Sequence, residues 1–309
     1  MLHLAIVVAA CVLVAQVAGN NLSVCTGAIM ASRMVSRWTG VWIAAAGYSA
    51  GFLAEGGVMR TALARLMPDR TEPLVMIALA TGIVVFAIAH MRRVPQSLSQ
   101  TFAAGILGIA AARHGAVDRV FVVTMLGFWI AAPLGSIVLI VGLMRLARRL
   151  INERDVWSTT ARVKASMLAL SFLAAFVLGA NTIGFVYAAV PGNPRTLAAA
   201  VLAIIVGSIA FSAGELRRIG NEIFAMRYVN AIAAQFSSVL LVEVATALGV
   251  PLSYTEVFAA GVYGAGFSYR HRLLRAKSAA AIGSSWLAML VIAFLLGYAA
   301  TAVVRRAAP

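Results

Sequence analysis

Charged residues are scarce in this sequence. Only 11% of its 309 residues are Asp, Glu, Lys or Arg, whereas 62% are hydrophobic and the mean hydropathy is +0.95. A soluble domain carries about 25% charged residues, so the composition predicts an integral membrane protein. The net charge of +15 would suggest nucleic-acid binding in a soluble chain. Here Lys and Arg occupy short gaps between apolar runs, where they set topology and meet lipid headgroups, so we expect no nucleic-acid partner.

Cysteines and catalytic motifs are equally sparse. Cys11 and Cys25 provide neither a disulfide framework nor metal-ligand spacing. The sequence has no P-loop, dinucleotide fingerprint or H-E-x-x-H motif, so we expect no cofactor, no metal site and no ATP-driven transport by this chain alone. Residues 1–18 are apolar but no Lys or Arg precedes them, so we interpret them as a first span rather than a cleaved signal peptide.

Ten apolar segments follow one another along the chain, and several are short or broken by Gly and Asn. They cover residues 2–32, 39–56, 73–91, 96–112, 120–144, 165–190, 196–214, 228–249, 252–268 and 279–304. Segments of this length and composition are typical of membrane helices and half-helices. The sequence therefore predicts an all-α polytopic membrane protein with about ten transmembrane segments.

One stretch of fifteen residues occurs twice, 156 positions apart. Residues 94–108 are VPQSLSQTFAAGILG and residues 250–264 are VPLSYTEVFAAGVYG, with eight identical positions. Chance would give about one or two, so the repeat indicates an internal duplication. The breaks Gly19-Asn20-Asn21 and Gly179-Ala180-Asn181 lie 160 apart, and Trp129 and Trp286 lie 157 apart. We therefore predict a first repeat over 1–150, a basic cytoplasmic connection over 151–164 and a second, inverted repeat over 165–309, both with broken helices.

The basic residues also predict an orientation. Seventeen Lys and Arg lie in the gaps after odd-numbered segments, and eight lie after even-numbered ones. If every segment crosses the bilayer, the positive-inside rule puts both termini of this multi-pass cell-membrane protein outside.

Polar residues at the breaks are the candidate binding site. A broken membrane helix frees backbone groups that, with nearby hydroxyls and amides, can replace a substrate's hydration shell, and the N-terminal end of a half-helix suits an anion. The alternative is that these residues serve only as helix caps and interhelical hydrogen bonds. The candidates are Asn20, Asn21, Ser97, Ser99, Gln100, Asn181, Thr182, Ser253, Thr255 and Glu256.

Carboxyl groups in apolar sequence are costly and therefore informative. Glu256 lies inside the second polar cluster, where a bare carboxylate would repel an anion, so it is a candidate proton-coupling residue that must be protonated, paired or turned away. Glu55 and Glu243 are also flanked by apolar sequence, and Glu215 precedes Arg217 and Arg218. For these three glutamates a structural ion pair or an interfacial position is an equal alternative.

An enzymatic interpretation depends on one short pattern. Gly47-Tyr48-Ser49-Ala50-Gly51 matches the G-x-S-x-G pattern of serine hydrolases, with His90 as the only base to pair with Ser49. The pattern lies in an apolar helical run, where Gly47 and Gly51 at four-residue spacing favour a helix-packing face. We therefore predict no catalytic residues and no enzyme activity.

These motifs together resemble the inorganic phosphate transporter (PiT) family, as a short and divergent member. That family has a G-A-N-D element early in each half, which Gly19–Leu22 and Gly179–Thr182 resemble. It has a P-x-S-T-T-H element later in each half, which Pro95–Gln100 and Pro251–Glu256 resemble. The segment Gly214–Gly220 is similar to the family's G-W-R-v-i-x-T-i-G element, and Trp129 with Pro133 is similar to its W-x-x-x-P span.

The resemblance implies a secondary permease that takes up phosphate or a similar tetrahedral oxyanion by alternating access, coupled to a cation. The family's Asp, which is expected to serve sodium, is Leu22 in one half and Thr182 in the other, and its His is Gln100 or Glu256. Asn21, Asn181 and Glu256 are therefore the coupling-ion candidates, with proton or sodium left open. The alternatives are a permease for sulfate or another oxyanion, a proton-coupled or uncoupled anion carrier, and a scaffold that kept the fold. The bilayer is the expected surrounding, and the assembly could be a homodimer.

Overall fold

The computed structural model describes residues 1–31, 34–91, 96–150, 156–210, 228–267 and 276–307, and these residues contain helices but no strand. We number the helices in chain order. They are α1 (Leu2–Asn20), α2 (Leu22–Ala31), α3 (Arg37–Glu55), α4 (Met59–Leu66), α5 (Glu72–Met91), α6 (Leu98–Arg113), α7 (Arg119–Leu150), α8 (Val156–Leu178), α9 (Gly184–Tyr187), α10 (Pro194–Ala210), α11 (Tyr228–Ala247), α12 (Tyr254–Phe267) and α13 (Ala276–Ala307).

The helices match the apolar segments of the sequence, so the all-helical membrane fold is confirmed. Six stretches within the described residues are long and apolar enough to cross a bilayer: Leu2–Met30, Glu72–Ala89, Arg119–Leu146, Thr160–Tyr187, Val229–Ala247 and Gly283–Arg306. Helices α6 and α12 have 16 and 14 residues, whereas a full crossing takes about 20. As far as the described residues extend, these two helices are shorter than a full crossing, and we refer to them as the half-helices.

Both predicted breaks coincide with local irregularities of the helices. Helix α1 ends at Asn20 and α2 begins at Leu22, while Asn21 donates from its side chain to the Val17 carbonyl across 3.1 Å. In the second half, α8 is followed by a π-helical turn over Gly179–Ile183 before α9 begins. The π-helical turn widens the regular hydrogen-bond ladder. At Asn21 the helix is irregular for one residue, although the Asn21 N–H still donates to the Val17 carbonyl and the Asn21 carbonyl accepts from the Cys25 N–H. Both turns place polar side chains in the protein interior.

The two halves of the chain pack crosswise, because the four most extensive helix contacts each join one half to the other. Helix α6 packs mainly against α13, α12 against α7, α3 against α8, and α1 against α10. Glycines make the close approaches possible: a Cβ on Gly108 would run into the Phe294 carbonyl, and one on Gly264 would lie 2.9 Å from the Ile137 Cα. Small residues at such crossings let helix backbones meet in a membrane, where packing replaces the hydrophobic effect.

The Gly47–Gly51 face behaves as predicted. Both glycines lie on α3 against α8, and a Cβ on either would meet the backbone of Phe172 or Phe176. Ser49 lies on the same regular helix instead of a strand–turn–helix elbow. The side chain of His90 lies outside the described residues. The G-x-S-x-G pattern is thus a packing element of the fold.

Three features differ from the sequence-based expectation or fall outside it. Helix α4, which buries Met59, Ala62, Leu63 and Leu66, was not predicted. Part of the predicted connection 151–164 is helical, because α8 begins at Val156. Glu215, Arg217 and Arg218, with the segment Gly214–Gly220 and Pro95, lie outside the described residues.

Glu55 and Glu243 turn out to be partners of each other. Glu55 ends α3, Glu243 lies on α11, and the two carboxyl groups lie near each other. Among the described residues neither glutamate forms an ion pair with a Lys, Arg or His side chain, and neither belongs to the polar cluster of the candidate site.

Candidate functional site

Each half-helix begins with the same capping sequence. Ser97 caps α6 and accepts a hydrogen bond from the backbone N–H of Gln100 at 3.4 Å, and Ser253 accepts one from the backbone N–H of Glu256 at 3.2 Å. Ser followed three positions later by Gln or Glu is the capping-box pattern, which satisfies N–H groups that a helix start leaves free. The two serines therefore fix where both half-helices start.

The side chains of Gln100 and Glu256 meet between the two half-helices. The amide nitrogen Nε2 of Gln100 donates to Oε2 of Glu256 across 2.6 Å, and both residues are buried, 3% and 7% exposed. They are separated by 156 positions, the offset of the sequence repeat, so they are equivalent residues of the two copies. Because these two equivalent residues touch each other, their contact lies at the centre of the two repeated half-helices.

Two further contacts join the polar cluster of one half to the break of the other. The hydroxyls of Ser99 and Thr182 are 2.8 Å apart, and the Thr255 hydroxyl donates to Oδ1 of Asn21 across 3.1 Å. Ser99 and Thr255 are again equivalent in the repeat, 156 positions apart. The half-helix α6 is thus tied to the π-helical turn before α9, and α12 is tied to the break between α1 and α2.

Asn181 holds the chain that leads into α12. Its Nδ2 donates to the Thr246 hydroxyl and to the Val250 carbonyl, each at 3.0 Å, and its Oδ1 accepts from the Leu252 N–H at 2.9 Å. Trp129 on α7 donates from its indole N–H to the Pro251 carbonyl at 2.9 Å. Together these bonds satisfy the backbone that Pro251 leaves without a helical ladder, and they position Ser253.

The structure brings most of the predicted residues together. Nine of the ten take part in the contacts described above, Ser97 and Ser253 through their caps, and all except Asn20 and Thr255 are buried. Asn20 is half-buried at the end of α1, and its backbone carbonyl is 3.5 Å from the Ser23 hydroxyl. The site is a set of hydroxyls, amides and helix starts with one carboxyl group among them.

Sequence reasoning missed several polar residues near this site. Gln96 donates to the Thr101 hydroxyl, while its own Oε1 is buried without a partner among the described residues. The sulfur of Cys25 lies 3.4 Å from the Tyr48 hydroxyl, and the backbone carbonyl of Cys25 accepts a hydrogen bond from the Gln235 side chain. The 157-residue spacing of Trp129 and Trp286 was a sequence signal for Trp129. Gln96, Cys25, Tyr48 and Gln235 belong to no sequence pattern that would have predicted a place near the site.

The electrostatics of the site suit an anion. The N-terminal ends of α6 and α12 both lie at the site, where unsatisfied N–H groups carry partial positive charge. Serine and threonine hydroxyls and the Gln100 amide add donors that can turn toward an oxyanion. Within the described residues no group of three or more His, Cys, Asp or Glu side chains could hold a metal ion.

Comparisons with known proteins agree with this architecture. One solved structure, described as the sodium-dependent phosphate transporter, superposes with a TM-score of 0.86 at 15% sequence identity, covering 99% of each chain. At that identity the likeness concerns the fold. A comparison with curated proteins finds no match. The family profile described as the phosphate transporter family matches two overlapping stretches, residues 17–195 and 164–297. These stretches cover most of the sequence, and the chain therefore belongs to the phosphate transporter family.

Proposed function

We propose that this protein is a secondary permease that carries inorganic phosphate across a cell membrane. The observation that carries the proposal is the meeting of two capped half-helix starts around the Gln100–Glu256 contact. Membership of the phosphate transporter family supplies the substrate class. No catalytic step is part of this function.

In the proposed site, phosphate lies between the starts of α6 and α12. Its oxygens accept from the hydroxyls of Ser97, Ser99, Ser253 and Thr255 and from helix N–H groups, which orient partial positive charge toward it. Asn21 and Thr182 now bond to these same hydroxyls, so they exchange partners when the anion enters. Asn181 contributes mainly by holding Val250 and Leu252, while Asn20 lines the edge.

We further propose that residues 1–150 and 165–309 are two inverted repeats with about ten membrane segments in all, joined by the basic cytoplasmic stretch 151–164. Crosswise packing of equivalent helices supports this, because α6 with α13 mirrors α12 with α7. Alternating access would then move one group of helices against the other around a fixed central site. In this arrangement both termini lie outside.

We also propose which residues could bind the ion that drives phosphate transport. The solved structure is named for sodium dependence, yet this chain has Leu22 and Thr182 where the family's Asp is expected to serve sodium. Leu22 is buried in the apolar core, and the Thr182 hydroxyl faces Ser99. Asn21, Asn181 and Glu256 remain the residues that could serve a coupling cation.

Uptake by proteoliposomes tests the function. We expect radiolabelled phosphate to accumulate under an imposed proton or sodium gradient, and unlabelled phosphate to compete better than sulfate. Replacing Ser97 and Ser253 together by Ala should lower the initial rate about tenfold or more, since each cap contributes roughly 1 kcal/mol to its helix start. Ser208→Ala, a buried serine on α10, is the matched control and should retain the rate.

The competing outcomes are distinct. Strong block by sulfate would change the substrate assignment to a broader oxyanion carrier. A double variant with the full rate would remove the two serines from the site. No uptake by folded protein under any gradient would leave only the fold and family, and would favour a non-transporting scaffold.

A further inference from the structure

Glu256 and Gln100 do not complete their own capping boxes. In that motif the third residue of the helix returns to the backbone N–H of the capping residue. Here the serine half of each motif is formed, but the Gln100 side chain extends to the other half-helix and donates to Glu256. The carboxyl group thus faces the space between the two helix starts.

No positive side chain within the described residues compensates Glu256. It forms no ion pair there, and its one polar side-chain partner is Gln100. Around it, α12 carries Tyr254 and Tyr263, α7 carries Arg119 and Arg145, α11 carries Glu243, and α6 carries Arg113. None of these six forms an ion pair or a side-chain hydrogen bond with the Glu256 carboxyl. Among the described residues, the positive charge nearest to it is the partial charge of the helix starts.

We propose that the Glu256 carboxylate and the substrate phosphate are alternative anions for the same donors, so that Glu256 takes up one proton when phosphate binds. This inference rests on the proposed function. When phosphate is absent, the carboxylate accepts from Gln100 and faces the two helix starts. When phosphate enters, it takes over these donors, and a second negative charge beside it is disfavoured in a site with little water.

The proton comes from solvent and attaches to a Glu256 carboxyl oxygen, which leaves the residue neutral beside the bound anion. The Gln100 amide is then free to donate to phosphate, and the neutral carboxyl can donate as well. One proton and one phosphate therefore enter and leave the site together. This linkage makes the carrier a proton symporter without any of the Asp residues that the family uses at the breaks.

Calorimetry of phosphate binding to the purified full-length protein tests the inference. Titrations with inorganic phosphate in two buffers of different ionisation enthalpy yield the number of protons taken up per phosphate bound. We expect the wild-type value to exceed that of Glu256→Gln by about one, and the subtraction removes the ionisation of phosphate itself. Above the pH at which Glu256 titrates, wild-type affinity should fall up to ~tenfold per pH unit relative to the variant.

Controls separate this effect from a structural one. Glu243→Gln removes a carboxyl on α11 that lies near Glu55 and outside the candidate site, and it should retain the wild-type proton number. If Glu256→Gln does not elute as folded protein, Glu256→Ala takes its place, with the same expected difference of about one proton.

The proton numbers and the phosphate-binding measurements distinguish a failure of this inference from a failure of the proposed function. Equal proton numbers in wild type and variant, with phosphate bound by both, would overturn the inference while leaving phosphate transport intact. A wild-type protein that is folded but neither binds nor carries phosphate would overturn the proposed function, and this inference with it. Proteoliposomes with Glu256→Gln should exchange phosphate yet gain no accumulation from a proton gradient.

Discussion

Single side chains in this protein form hydrogen bonds to backbone groups that a regular helix would otherwise satisfy. Asn181 is the clearest case, because one amide group satisfies the Val250 carbonyl and the Leu252 N–H on either side of Pro251. Proline has no N–H to donate and it breaks the ladder, and no water reaches a fully buried residue such as Asn181 to replace the lost bonds. An amide that both donates and accepts suits this position better than a hydroxyl.

Replacing Asn181 by Ala should therefore destabilise the protein by about 1–3 kcal/mol, because it leaves buried backbone groups without partners. We expect a lower Tm in detergent and a slower phosphate uptake. Thr124→Val on the exposed face of α7 removes a hydroxyl that bonds only within its own helix, and its Tm should stay close to that of the wild type. Equal Tm values for the two variants would contradict the role assigned to Asn181.

At the scale of elements, the half-helices depend on close backbone contact with long helices of the other half. Helix α6 presents Gly105 and Gly108 to α13, where Gly297 lies against the Gly105 carbonyl. Helix α12 presents Gly264 to α7 in the same manner. Helices too short to span a membrane gain their stability from such contacts, and a bulkier residue would push them away from the site.

Gly108→Ala should thus be destabilising by about 1–3 kcal/mol, as overpacking usually is. Gly127→Ala on α7 is the matched control, because a Cβ there meets nothing within 4 Å. Since Ala is the better helix former by up to about 1 kcal/mol, this control should be neutral or slightly stabilising. The two variants can be compared by thermal unfolding in detergent, and a neutral Gly108→Ala would argue against the tight α6–α13 contact.

The crosswise pairing of the halves also bears on how far sequence reasoning reached. The breaks at Asn21 and Asn181, the capped starts at Ser97 and Ser253, and the Gly47–Gly51 packing face each depend on local residue chemistry, which a sequence displays directly. The Gln100–Glu256 bond joins residues 156 positions apart, so only tertiary packing brings them together. Helix α4 was missed because it is amphipathic and carries Arg60 and Arg65, whereas the predicted segments were chosen by their apolar character. Apolar character also does not show whether a helix crosses the bilayer, because the half-helices are equally apolar.

At the scale of the whole molecule, the orientation of the chain can be tested directly. The distribution of Lys and Arg between the membrane segments predicts that the turns at Asp69 and Arg195 lie outside the cell and that the turn at Ser36 lies in the cytoplasm. All three positions are exposed. In a background without Cys11 and Cys25, a membrane-impermeant maleimide should label Asp69→Cys and Arg195→Cys on intact cells. It should label Ser36→Cys only after permeabilisation, and the reverse pattern would invert the proposed topology.

The contact between α6 and α13 has a consequence for biosynthesis. Residues 98–113 leave the ribosome long before residues 276–307, yet the last helix supplies the surface that covers Gly105 and Gly108, and Arg305 bonds to the Ala112 carbonyl at the far end of α6. Throughout most of translation the first half-helix therefore has no final partner. This short helix with a polar start must therefore wait in the membrane or the insertion machinery until α13 has been made, so assembly of the site is completed only after α13 is inserted.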